Sequence, residues 1–134
     1  MAMSPHGVSR SFDALADGYG RGEGVNAILV KTLHQAQLDG DRIRAVVRGT
    51  SMNSDGKSSR LTTPSSHAQK DLVESTYRRS GITDLDKTAF VECHGTGTQA
   101  GDIVEASAVA QMFSKGIHIG SVGSLRHERC SAKS

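Results

Sequence analysis

The chain has 134 residues, a net charge of +2, 36% apolar residues, no tryptophan, fifteen glycines and two prolines. That length suits one domain with a moderate core, and the glycines point to tight turns rather than collagen-like or low-complexity sequence. Scattered basic residues with few aromatics give no nucleic-acid face, and no apolar run nears the ~18 residues that argue a membrane span.

There is no secretory h-region, and Cys93 and Cys130 match no metal or redox spacing. The reading is therefore a soluble, cytoplasmic chain without a metal. In chain order, Met1–Gly7 reads as a loop and Asp17–Gly24 as a Gly-rich one. Val25–Val30 is apolar and β-branched, as a buried strand is. Lys31–Leu38 predicts a short helix closed by Asp39-Gly40, and Ile43–Thr50 alternates like a second strand. Asn53-Ser54-Asp55-Gly56 is turn chemistry. A helix follows, capped by Ser65 or Ser66, with Ser66 and Gln69 matching a capping box. Its stripe is Ala68, Leu72, Val73, Thr76 and Tyr77, and Gly81 stops it. Ala89–His94 predicts a strand. A helix from Asp102 turns Ile103, Ala106, Val109, Ala110 and Phe113 inward, with Asp102 and Glu105 in a first turn whose dipole favours them. Gly116 ends it, Ile117–Val122 is a last strand, and the tail from Gly123 shows no pattern. Alternating strands and helices predict an α/β fold.

Chemistry concentrates in Glu92-Cys93-His94-Gly95-Thr96-Gly97-Thr98. Ligands in open α/β folds bind at the carboxyl ends of strands. Gly95 and Gly97 permit a positive φ or a close backbone approach, and two hydroxyls flank the histidine. His94 reads as a reaction-site group or, equally, as a satisfied structural histidine. Cys93 and His94 are strand neighbours whose side chains point to opposite faces, so Cys93 reads as a core residue. His6, His34, His67 and His118 read as surface or loop residues.

Two phosphate-loop patterns are weaker. Gly22-x-Gly24-x-x-Ala27 precedes its strand, the reverse of a dinucleotide fingerprint. Ser51–Ser58 approximates a P-loop, but Ser51 replaces the first glycine and Pro64 prevents the helix it needs. A polar rim loop is the better reading there.

The series FDALADGYGRGEG, then NSDG with TTP, then VECHGTGTQAGD followed by EA, resembles the ketosynthase (beta-ketoacyl synthase) domain of fungal-type type I polyketide synthases. The likeness runs from about Ser4 to about Ser124. It implies an incomplete thiolase-like α/β fold, an internal slice spanning the end of the first α/β half and the start of the second. Residues 1–134 would then be a partial ketosynthase domain.

The implied activity is acyltransfer by decarboxylative Claisen condensation. A malonyl-type extender joins an acyl thioester carried on the phosphopantetheine arm of an acyl carrier protein, with no directly bound cofactor. The implied partners are that carrier protein and malonyl and acyl thioesters, with a homodimeric parent domain and neither nucleic acid nor membrane. His94 matches the first of two catalytic histidines, and Thr96 and Thr98 match positions that contact the arm. The resemblance gives Asp102 and Glu105 a shaping role at the helix start.

Departures from the family accompany the match. The nucleophilic cysteine lies upstream of Met1 in the family, so the isolated chain is expected to be inactive. The second histidine falls on His127, in a run one residue short that lacks the usual lysine, asparagine and glycine. Ile103 replaces a usual proline. Agreement stops after Val122, so residues 123–134 are expected to be a divergent tail, out of frame or disordered. The alternatives are a non-catalytic remnant or carrier-arm binding module and, further off, a P-loop-like nucleotide binder.

Overall fold

The computed structural model describes residues 3–56 and 64–122 and the backbone of residues 126–130. Its centre is one β-α-β unit. Strand β1, Phe90–Glu92, leads through helix α3, Gln99–Met112, to strand β2, Ile117–Ser121, which pairs parallel to β1 with Val91 opposite Ile119. A third strand, β3, Arg126–Cys130, pairs antiparallel to β2 and places His127 opposite Gly120. The tail, patternless in sequence, thus adds an outer strand, because β2 offers it a row of free backbone groups.

Helix α2, Ser66–Arg79, packs along α3. Helix α1, Leu33–Leu38, is a single short element capped by Thr32. The core lies between α3 and one face of the sheet, where Val109 and Phe113 meet Cys93, Ile117 and Ile119, with Phe12, Tyr77, Leu85, Val91 and Met112 at its edge. Tyr77 meets Phe113 edge-on at 6.1 Å, and its hydroxyl shares a 2.8 Å hydrogen bond with Thr88. Each fully buried large apolar side chain in such a cluster contributes roughly 1.5–3 kcal/mol. Cys93 lies in the core, as strand alternation predicts.

Helix boundaries follow capping chemistry more closely than apolar spacing. Ser65 caps α2 by accepting from the Ala68 N–H. Gln69 is therefore one place too late for the expected capping box, which needs its partner at the third helical position. Gly81, at φ +67, ends that helix as expected. Helix α3 begins at Gln99 because Thr98 caps it through the Gly101 N–H at 3.2 Å. The start is earlier than Asp102, and Ile103, expected inward, faces solvent.

The largest departure is in residues 25–50. Neither expected strand forms there, and Val25, Ile28 and Leu29 are 99%, 87% and 97% exposed. β-Branched sequence states a preference for a pleated, half-buried surface, and among the described residues no neighbouring strand supplies one. Near its end Arg48 donates to the carbonyl of Ser80, the C-cap of α2, and just beyond it Asn53 donates to the Ala68 carbonyl.

Candidate functional site

At the carboxyl end of β1 the chain turns through residues 93–98 into α3. Gly95 and Gly97 both take positive φ, +48 and +75. Space forces the choice as much as conformation does. A Cβ on Gly95 would stand 2.5 Å from Ser121 Cβ, and one on Gly97 would stand 2.8 Å from the Arg10 nitrogen. The loop is therefore wedged between β2 on one side and the amino-terminal segment on the other.

Two carboxylates from the first turns of α3 gather the loop's amides. Glu105 takes the His94 N–H on Oε1 at 2.6 Å and the Gly95 N–H on Oε2 at 2.9 Å. Asp102, buried, takes the Gly97 N–H on Oδ1 at 3.0 Å and the Phe12 N–H on Oδ2 at 2.7 Å. Side chains three residues apart lie on one helix face, which lets both reach one loop. Each charge sits near the helix N-terminus and receives two N–H donors, the arrangement that makes a buried carboxylate tolerable. The acidic residues therefore shape the loop, as the sequence leads one to expect.

The amino-terminal segment closes the other side. Gly18 donates to the Gly97 carbonyl at 2.9 Å. Ser11 donates to the Gly95 carbonyl, which also accepts from Ser121 Oγ at 3.2 Å. Phe12 holds φ +59, a left-handed conformation unusual for a bulky residue. Its tie to Asp102 and its packing against the core keep it there.

His94 itself is exposed beside this fixed frame, while Cys93 points the other way into the core. Thr96 and Thr98 are half-buried with hydroxyls 3.0 Å apart, and Thr98 is also the cap of α3. His127 is placed on β3 by its backbone, but its side chain lies outside the described residues, as do Cys130, Lys57 and Ser58. His6, His34, His67 and His118 are exposed and remote in sequence from the loop. The P-loop pattern loses its support, since the strand it should follow does not form. An open groove of about 280 Å³ lies at the other end of the sheet, between Leu85, Ala89, Phe113 and Ile117. It does not include His94.

Ser11 and Ser121, to which the sequence assigns no role, are the site residues that sequence reasoning misses. The available signal was the pair of glycines: a loop that tolerates no Cβ implies small, buried neighbours. Among the described residues, no group of three or more metal-ligating side chains converges, and no helix is long and apolar enough to cross a membrane.

Residues 44–129 match the family model for the beta-ketoacyl synthase C-terminal domain, and residues 1–36 match that for the beta-ketoacyl synthase N-terminal domain. A highly reducing polyketide synthase of Byssochlamys spectabilis is 58% identical over 120 residues, covering 90% of this chain and 6% of that protein. One from Purpureocillium lilacinum is 57% identical over 121 residues, covering 90% of this chain and 5% of its own length. Among solved structures, the Streptomyces albus oxazolomycin ketosynthase domain superposes with TM-score 0.84 at 36% identity, over 98% of this chain and 24% of that one. The ketosynthase from module 6 of the Bacillus subtilis bacillaene synthase gives TM-score 0.85 at 36% identity, over 97% of this chain and 24% of its own. The chain thus spans a small part of each relative it matches.

Proposed function

The chain belongs to the beta-ketoacyl synthase family, and on that premise we propose that it supplies the histidine side of a polyketide synthase condensing site. One observation carries the reading: His94 stands exposed at the carboxyl end of a parallel strand, on a loop whose backbone is fixed from three directions.

In the reaction, the bond between a malonyl thioester's α-carbon and its carboxylate breaks and CO2 leaves. The electron pair moves into the enolate, and negative charge gathers on the thioester oxygen. A His94 ring N–H aimed at that oxygen stabilises the charge as it develops, and loss of one such donor costs ~10²–10³ in rate. The α-carbon then attacks an acyl thioester on a cysteine; the new C–C bond forms as the acyl C–S bond breaks and the cysteine leaves as thiolate. Cys93 is not that cysteine, because it is buried in the core on the opposite face.

The malonyl and acyl groups arrive on the phosphopantetheine arm of an acyl carrier protein, which passes Thr96 and Thr98. Thr98 capping α3 makes it a rigid wall for the arm. His127, on the strand next to β2, is the proposed second donor. The condensing unit works as a homodimer in the cytoplasm. With Cys93 buried in the core, the isolated chain is expected to decarboxylate at best and not to condense.

Malonyl-thioester decarboxylation, measured by CO2 release, tests this directly. Replacing His94 by Ala is expected to lower the rate ~10²–10³-fold. An unchanged rate overturns the assignment of His94.

A further inference from the structure

The two most deeply buried side chains of the described core and site are serines. Ser11 is 0% exposed and Ser121 1%, below every buried apolar residue. Burying a hydroxyl is unfavourable unless it makes a hydrogen bond, and both spend theirs on one group. The Gly95 carbonyl accepts from Ser11 on the amino-terminal segment and from Ser121 on β2. Ser121 Oγ also lies 3.4 Å from the His94 carbonyl. The Gly95 N–H meanwhile goes to Glu105.

A carbonyl has two lone pairs and an amide one proton, so both polar groups of Gly95 are saturated. The backbone next to His94 therefore has no spare partner with which to rotate. We infer that Ser11 and Ser121 are positioning residues, which fix the direction of the His94 side chain by holding the Gly95 carbonyl from both sides. The inference rests on the reading of His94 as the thioester-oxygen donor. Both serines are too deeply buried to reach substrate, and the sequence alone gives neither a role. The arrangement also explains why Gly95 has no room for a side chain: its Cβ would displace the same two serines.

The test is a mutant cycle on malonyl-thioester decarboxylation, in the full-length chain that carries these residues. Ser11→Ala and Ser121→Ala keep the Cβ and remove only the hydroxyl. A misplacement of ~1 Å can cost ~10²-fold, so each is expected to lower kcat by roughly 10–100-fold with KM unchanged. In a His94→Ala background the same changes should have no further effect, which a merely structural role would not produce. Ser11→Cys and Ser121→Cys, close in size, keep a weak donor and should recover part of the rate. They also serve where an alanine variant fails to fold.

If His94→Ala lowers the rate and the serine variants leave it intact, the positioning inference is overturned and the role of His94 stands. Serine effects that persist undiminished without His94 overturn it too. If His94→Ala has no effect, both fall together.

Discussion

The loop after β1 and the stretch from residue 25 to residue 50 invert the usual relation between polarity and burial. In the loop, glycines, serines and a carboxylate are buried, and their polar groups are paired with one another. In the earlier stretch, valines, isoleucines and leucines are exposed. Burial thus follows the supply of partners, and hydrophobicity alone does not secure it. The loop is complete because β2, α3 and the amino-terminal segment all lie within this chain. Among the described residues the apolar stretch has no neighbouring strand, so its preference goes unmet.

The contrast can be broken most severely from the core side. Phe113→Ala removes the ring that Tyr77 and Ile117 pack against, at an expected cost of about 3–5 kcal/mol, whereas Leu29→Ser should cost less than about 0.5 kcal/mol, as exposed substitutions do. Urea unfolding of the two variants beside the parent chain measures the gap, and equal losses would erase the distinction. Close behind comes Gly95→Ala. Its left-handed φ and the 2.5 Å approach to Ser121 together should cost ~3 kcal/mol, with decarboxylation lost as the loop moves.

Asp102→Asn is a subtler probe. Asparagine keeps the shape but offers one acceptor oxygen, so either Phe12 or Gly97 loses its bond. A stranded buried N–H costs about 1–3 kcal/mol. Faster amide exchange at those two residues should accompany the loss. The exposed stretch makes the opposite prediction, concerning association instead of stability. A contiguous apolar patch on the free chain should bind a hydrophobic dye, and serine at both Val25 and Leu29 should reduce that fluorescence. A monodisperse, dye-silent chain with sharp unfolding would show the patch to be covered.

The smallest effect is electrostatic. Lys31, hydrogen-bonded to Asp39 and Asp41, holds the Asp39 carboxyl below its ordinary range, and Gln35 adds to this. A depressed carboxylate contributes stability above its unfolded value of about 3.9 and loses it as pH falls through the folded value. Lys31, raised chiefly by Asp39 and then Asp41, contributes below about pH 10.4 and fades as pH rises through its higher folded value. Helicity of Leu33–Leu38, followed by amide exchange, should therefore fray first on acidification. These groups are solvent-exposed, so salt should blunt the effect.

Much of the site was legible because its signals are local. Gly81, Gly95 and Gly97 each take the positive φ that their turn positions suggest, and Cys93 turns away from His94 by simple alternation. Helix α2 fits its apolar stripe and its serine cap to within one residue. The illegible parts depend on distant partners. Nothing within a few residues of Ser11 or Ser121 announces that they will meet on one carbonyl. Val25–Val30 reads as a strand on its own merits, and only the absence of a neighbour undoes it. Ile103 shares the apolar spacing of Val109 and Phe113, yet it is exposed near the start of α3 while those two reach the core.

The tie between Phe12 and Asp102 spans 90 residues of sequence, and this bears on the order in which the molecule assembles. A contact of such separation closes a long loop, which slows folding relative to local pairing. At translation speeds of about 5–20 residues per second, residue 12 would leave the ribosome roughly 5–18 s before its carboxylate partner. The β-α-β unit forms later still, because β2 follows Asp102 along the chain. The amino-terminal segment therefore has to wait, its amides solvated, and docks only once α3 has been made. The histidine loop takes its final form only at the end of that wait.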